Sequence, residues 1–68
     1  MTQISSIKFA ELGNVEFATI TFENGAGCFA RVIKRDETAC IIYFNNKLIF
    51  INLPSYECEV LCEGVTIK

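Results

Sequence analysis

The stretch from residue 40 to residue 53, CIIYFNNKLIFINL, decides the fold of this chain. Two apolar runs flank Asn45 and Asn46, and asparagine tolerates the positive φ angles that two-residue hairpin turns require. The stretch therefore predicts a β-hairpin in which Phe44 pairs with Lys47 and the ladder continues outward from that pair. Both faces of this hairpin are apolar, whereas antiparallel sheets of small proteins usually expose one polar face. The second apolar face must therefore contact something else.

The rest of the chain alternates β-rich runs with turn residues and has no long helical periodicity. The predicted strands cover residues 4–10, 15–22, 28–35, 38–44, 47–53, 57–62 and 65–68. Short connections between consecutive strands favour an antiparallel meander that closes into a small barrel. We predict an all-β fold over residues 1–68, which is a single small β domain with six to seven short strands and a partly open β-barrel.

Residues 51–61, INLPSYECEVL, resemble the turn before the last strand of SH3-like barrels, where a one-turn 3₁₀ segment of Pro-Ser-Tyr type precedes that strand. The resemblance covers about eleven residues and implies an SH3-like barrel topology only. The acidic loop, the tryptophan and the ALYDY-type strand of SH3 domains are missing, and Tyr56 alone forms no peptide-binding groove.

Length and composition restrict the function. A chain of 68 residues buries only about 60% of its unfolded surface, yet this one is 51% hydrophobic. Extra apolar surface is therefore expected at a contact with another molecule. The net charge of −2 argues against a general nucleic-acid binder. No signal-peptide pattern or membrane-length apolar run occurs, so we expect a cytoplasmic protein without a membrane partner.

The four cysteines, Cys28, Cys40, Cys58 and Cys62, are expected to be free thiols. The chain has no histidine, so a zinc site would need all four thiolates, and structural zinc sites usually use closely spaced Cys pairs. On a strand, Cys58 and Cys62 would lie too far apart to share a metal or a disulfide. We therefore predict no metal, no cofactor and small buried thiols in a reducing compartment.

No motif for catalysis is present. Without histidine, a Ser-His or Cys-His dyad is impossible, and neither a P-loop nor a dinucleotide-binding glycine pattern occurs. Glu57 and Glu59 alternate as exposed strand residues commonly do, and no apolar pocket of the kind that tunes a catalytic carboxyl surrounds either of them. We predict that the protein is not an enzyme.

Strand alternation divides the central hairpin into two faces, and a two-residue turn at Asp36 and Glu37 would extend that division to the preceding strand. The more uniformly apolar face is assigned to the core and contains Cys28, Ala30, Val32, Ile41, Tyr43, Leu48 and Phe50. The opposite face forms the predicted partner-binding site: Phe29, Arg31, Ile33, Arg35, Ile42, Phe44, Lys47 and Ile49. A slip of one residue at the weak Asp36 turn would invert strand 28–35.

These features favour a small protein-interaction module, either a homo-oligomer or an inhibitor or adaptor that occupies a partner surface. One alternative is single-stranded nucleic-acid binding, in which the aromatic side chains stack on bases and the cations follow the phosphates. A further alternative is sequestration of a small anionic ligand at an oligomer interface. Coverage of the outer apolar face by segment 1–12 would remove the need for a partner.

Overall fold

A computed structural model describes residues 3–66 as one antiparallel β-sheet. The strands are β1 (Ile4–Leu12), β2 (Val15–Phe22), β3 (Gly27–Arg35), β4 (Ala39–Phe44), β5 (Lys47–Asn52) and β6 (Cys58–Glu63). Each strand pairs with the next one in the chain, so the predicted all-β meander is confirmed. Of the predicted seventh strand, residues 65–66 are not in a strand, and residues 67–68 lie outside the described residues.

The sheet is strongly coiled but is not closed into a barrel. The smallest extent of the molecule is 22 Å, about twice the ~10 Å that separates two packed sheet layers. The sheet therefore curves well out of a single plane. Within residues 3–66, β1 and β6 are the two edges and do not pair with each other. The closed form of the predicted small barrel is therefore not confirmed. Because residues 4–12 form an edge strand, they extend the sheet and do not lie across its face.

The central hairpin has the predicted register. Asn45 and Asn46 have φ angles of 54° and 63°, as both central residues of a type I′ turn require. Phe44 pairs with Lys47, and the ladder continues without interruption to Ala39 opposite Asn52. The paired asparagines therefore determine which residues of β4 and β5 lie opposite each other.

A β-bulge in β3 overturns the predicted assignment of the two faces. Val32 pairs with Ile42 and Lys34 pairs with Ile41, which leaves Ile33 as an extra residue. An extra residue inverts the alternation on one side of the bulge relative to the other. The predicted two-residue turn at Asp36 and Glu37 was also wrong, because Arg35 pairs with Cys40 and not with Thr38. That shift of two residues keeps each side chain on its face, and the bulge then leaves residues 28–32 one register step from the predicted position.

The buried side chains show which face of the sheet is the inner face. They are Ile4, Ala18, Ile20, Ala30, Val32, Cys40, Ile42 and Ile51. The prediction was correct for Ala30 and Val32 and wrong for the hairpin, where the side chains of Ile41, Tyr43, Leu48 and Phe50 are only half-buried. These four residues alternate with the buried ones along β4 and β5 and therefore belong to the outer face.

Candidate functional site

The bulge at Ile33 divides the predicted partner-binding site between the two faces of the sheet. Phe29 and Arg31 alternate with buried Ala30 and Val32, so they lie on the outer face and are exposed. The hairpin members belong to the inner face: Ile42 is buried, Ile49 packs against the core, Phe44 is 38% exposed, and Lys47 is half-buried. The eight residues therefore do not form one surface, and the prediction that Ile42 is a contact residue was wrong.

An aromatic pair forms the centre of the outer face. The rings of Phe17 and Phe29 stack with 4.9 Å between their centroids and 18° between their planes. Phe17 pairs directly with Arg31, and Thr19 pairs with Phe29, so the two phenylalanines are diagonal neighbours on β2 and β3. Stacking restrains both rings, yet 60% of Phe29 remains exposed. The outer face thus presents a preorganised aromatic surface to solvent.

Cationic residues flank this aromatic pair. Arg31 lies on one side of Phe17 in the β2–β3 ladder. Lys8 pairs with Thr19 from the β1 side, which places it in the same row as Phe29. No carboxylate occupies the paired positions between these residues on β1, β2 and β3. The aromatic centre of the outer face is therefore locally cationic, although the chain as a whole is acidic.

The outer face is partly covered at its β4–β5 side. The Tyr43 hydroxyl donates a 2.7 Å hydrogen bond to the Val65 carbonyl and lies 2.9 Å from the side-chain oxygen of Asn46. The Val65 amide donates to the Asn46 carbonyl at 3.0 Å. These bonds hold the chain after β6 against Tyr43. The exposed part of the outer face is accordingly centred on β2 and β3.

Arg35 makes intramolecular contacts on the inner face. Its guanidinium lies 2.6 Å from a Glu16 carboxylate oxygen and 4.2 Å from the centre of the Phe9 ring. Arg35 pairs with buried Cys40, whose face it shares. This predicted contact residue therefore belongs to a cation–π and ion-pair cluster at the end of the inner face that carries the β1–β2 and β3–β4 turns.

The other end of the inner face is a trough of about 620 Å³. Its lining is almost entirely apolar and comes from all six strands: Ile4, Ile20, Phe22, Gly27, Cys28, Ile42, Phe44, Asn45, Lys47, Ile49, Ile51, Cys58 and Val60. Ile20, Ile42 and Ile51 form its buried floor, whereas Phe44 and Val60 are exposed. The trough lies at the end of the sheet that carries the β2–β3 and β4–β5 turns.

The four cysteines are free thiols. Cys40 is buried and Cys28 is half-buried, but Cys58 and Cys62 are exposed, so the prediction of buried thiols was wrong for these two. Burial raises the pKa of the Cys40 thiol and that of the Cys28 thiol. Partial desolvation of the Cys58 sulfur, with a smaller electrostatic contribution from nearby Cys28, also raises the pKa of that thiol. A bulge at Leu61 places Cys62 opposite Leu48, away from the Cys58 face. Within residues 3–66, no group of three or more Cys, Asp or Glu side chains is arranged to hold a metal ion.

Comparison of the chain with family models, with curated proteins and with solved structures finds no match. Between residues 3 and 66 there is no helix with the length and apolar character needed to cross a membrane.

Proposed function

We propose that this protein is a small protein-interaction module that acts, without catalysis, by occupying the surface of a partner protein or of a second copy. The proposal rests on the stacked Phe17–Phe29 pair, in which Phe29 is 60% exposed and lies near Arg31. Aromatic residues, phenylalanine among them, and arginine are enriched at protein interfaces relative to the rest of the surface. A ring that is already restrained loses little conformational freedom when it binds.

The charges around the aromatic pair indicate what kind of partner surface fits. Lys8 and Arg31 flank the rings, so the complementary surface has an apolar centre with acidic groups around it. Each ion pair at such a rim contributes little affinity, because the charges remain solvated. Complementary charge instead accelerates association and excludes partners of like charge.

The size of the outer face is compatible with this proposal. The described chain exposes 4889 Å², and a standard interface buries about 800 Å² on each partner. One contact would thus use about a sixth of the surface, which one face of the sheet can provide. The inner-face trough on the opposite side of the sheet would remain accessible.

Single-stranded nucleic acid is the second candidate occupant of the outer face. The stacked rings beside Arg31 have the chemistry of a base-stacking platform, and this observation alone favours it. The net charge of −2 opposes it, because phosphate binding depends mainly on cationic surface. Binding that weakens steeply with salt would indicate nucleic acid, and salt-tolerant binding indicates a protein.

Phe29→Ala tests the proposal, with Phe44→Ala as the matched control on the inner face. Light scattering reports self-association, and quantitative capture from lysate in 0.3 M salt, with and without nuclease, reports another protein. Loss of an interface anchor costs about 2 kcal/mol or more, roughly thirtyfold in affinity. We expect Phe29→Ala to lose association and Phe44→Ala to retain it, both with an unchanged circular dichroism spectrum. Equal association of both variants, or association that nuclease abolishes, would contradict the proposal.

A further inference from the structure

The inner-face trough lies on the opposite side of the sheet from the exposed Phe29 ring. We propose that it binds an amphiphile with an apolar chain and an anionic head group, of the fatty-acid class, with the chain against the isoleucine floor and the head group at Lys47. The volume of about 620 Å³ lies within the roughly 300–1,000 Å³ range of small-molecule sites. Such sites are typically apolar, with few polar groups that fix the orientation of the ligand.

The apolar lining of the trough favours a ligand with an apolar tail. Ile20, Ile42 and Ile51 are almost fully buried and lie on strands β2, β4 and β5, each of which is paired on both sides. The backbone polar groups beneath the trough are therefore already used in the sheet. A peptide lying on this floor, away from the open edges of β1 and β6, would bury its own amides without partners, at a cost of about 1–3 kcal/mol each. An alkyl chain carries no such groups.

The positive charge at the edge of the trough favours a ligand with an anionic head group. Among the described residues that line the trough, Lys47 is the only charged one, and Asn45 is its polar neighbour in the turn. The Lys47 ammonium lies 3.8 Å from Glu63, whose side chain is 72% exposed and does not line the trough. This contact is long and solvated, so it leaves the ammonium available to a ligand carboxylate.

Dodecanoic acid and dodecanol serve as probes, each competing with a fluorescent fatty acid, 11-(dansylamino)undecanoic acid, on the full chain. We expect saturable binding of both. Lys47→Gln should weaken dodecanoic acid by about two- to fivefold, as expected for a solvated ion pair, and leave dodecanol unchanged. Glu63→Gln is the matched control, because it removes the ion pair and keeps the cation; it should bind dodecanoic acid at least as tightly as the original chain. Phe29→Ala should leave the affinities for dodecanoic acid and dodecanol unchanged, which separates this site from the proposed protein-binding face.

Alkylation by iodoacetamide gives a second measurement on the unaltered protein. Cys28 and Cys58 line the trough, whereas Cys62 lies opposite Leu48 and serves as an internal control. Dodecanoic acid should slow alkylation of Cys28 and Cys58 and leave the rate at Cys62 unchanged. The proposal would be overturned if the alkylation rates of all three cysteines were the same with and without dodecanoic acid. It would also be overturned if Lys47→Gln left the affinity for dodecanoic acid unchanged. A dimer that already protects Cys28 and Cys58 and is dissociated by Cys28→Phe would show that a second copy occupies the trough instead.

Discussion

Phe17 and Phe29 lie diagonally across β2 and β3 and stack with 4.9 Å between ring centroids. Neither ring belongs to the buried core, which lies on the opposite face of the same strands at Ala18 and Ala30. The stacking therefore contributes an ordered aromatic surface beyond what the core requires. That surface and the inner-face trough lie on opposite sides of one sheet, so occupation of one leaves the other free.

Substitution at neighbouring positions of β4 tests which face is buried. Ile42 is 2% exposed, and a buried charge without a partner costs several kcal/mol, a large part of the roughly 3–10 kcal/mol available to a domain of this length. Ile42→Asp should therefore unfold the chain. Ile41→Asp should remain folded, because Ile41 lies on the outer face opposite Lys34. Circular dichroism and one-dimensional NMR report both outcomes, and the reverse result would mean that the two faces are interchanged.

Deletion of Ile33 tests the bulge. The deletion would leave Val32 and Lys34 as consecutive residues opposite Ile42 and Ile41, so every side chain would keep its face. We expect a folded protein with a lower melting temperature. Deletion of Thr19, which lies in an uninterrupted ladder between Ala18 and Ile20, is the control and should prevent folding, because it inverts one half of β2. Unfolding caused by both deletions would show that the extra residue is essential to the sheet.

Removal of the Arg35 guanidinium tests the cluster with Glu16 and Phe9. The Arg35 side chain is 41% exposed, so solvent screening limits the ion pair, and the cation–π contact adds about 0.5–1 kcal/mol. Arg35→Met should lower the free energy of unfolding by about 1 kcal/mol in urea titrations, and Lys34→Met by less than about 0.5 kcal/mol. In 1 M salt, the effect of Glu16→Gln should vanish while part of the Arg35→Met effect persists. Equal effects of Arg35→Met and Lys34→Met would refute this role.

The turn between β3 and β4 should make stability depend on pH. Asp36 accepts hydrogen bonds from the Thr38 amide (2.8 Å), the Thr38 hydroxyl (2.9 Å) and the Ala39 amide (3.0 Å). These bonds lower the pKa of the Asp36 carboxyl, the Thr38 amide most of all. A lowered pKa stabilises the fold above the unfolded value of about 3.9, and this stabilisation is lost as the pH falls through the folded value.

Asp36→Ala should therefore lower the melting temperature most near neutral pH. The difference from the original chain should shrink as the pH falls below about 4. Thr38→Val removes only the hydroxyl donor and should have a smaller effect in the same direction. A difference that is constant between pH 7 and pH 3 would show that the charge of Asp36 does not contribute.

The register of the central hairpin is predictable because two asparagines can adopt the positive φ angles of its turn. Which face of the hairpin is buried is not predictable, because Ile41 and Ile42 are equally apolar and alternation alone does not show which of them points into the core. The bulge at Ile33 leaves no signal, since the surrounding residues carry neither glycine nor a turn pair. A single extra residue there was enough to move Phe29 and Arg31 to the face opposite Ile42.

The aromatic centre was only half predictable. Phe29 was expected on an exposed face, and the structure exposes it; Phe17 was missed. The signal for Phe17 was its alternation with Ala18 and Ile20, which assigns it to the outer face once those two residues are placed in the core. The inner-face trough had no signal, because it arises from the coiling of the sheet, which brings Ile4 and Val60 from opposite edges to the same hollow.

Site-specific photocrosslinking tests whether the face of the sheet that carries Phe29 contacts a protein in the cell. Benzoylphenylalanine replaces Phe29 in one variant and Phe44 in the other, and both are irradiated in cells that express the chain, with adducts resolved by mass and peptide sequencing. We expect a discrete protein adduct, with a second copy or another protein, at position 29 and none at position 44. The proposed protein-binding role of the outer face would be contradicted if position 29 gave no adduct above the level at position 44. It would also be contradicted if nuclease digested the adduct at position 29.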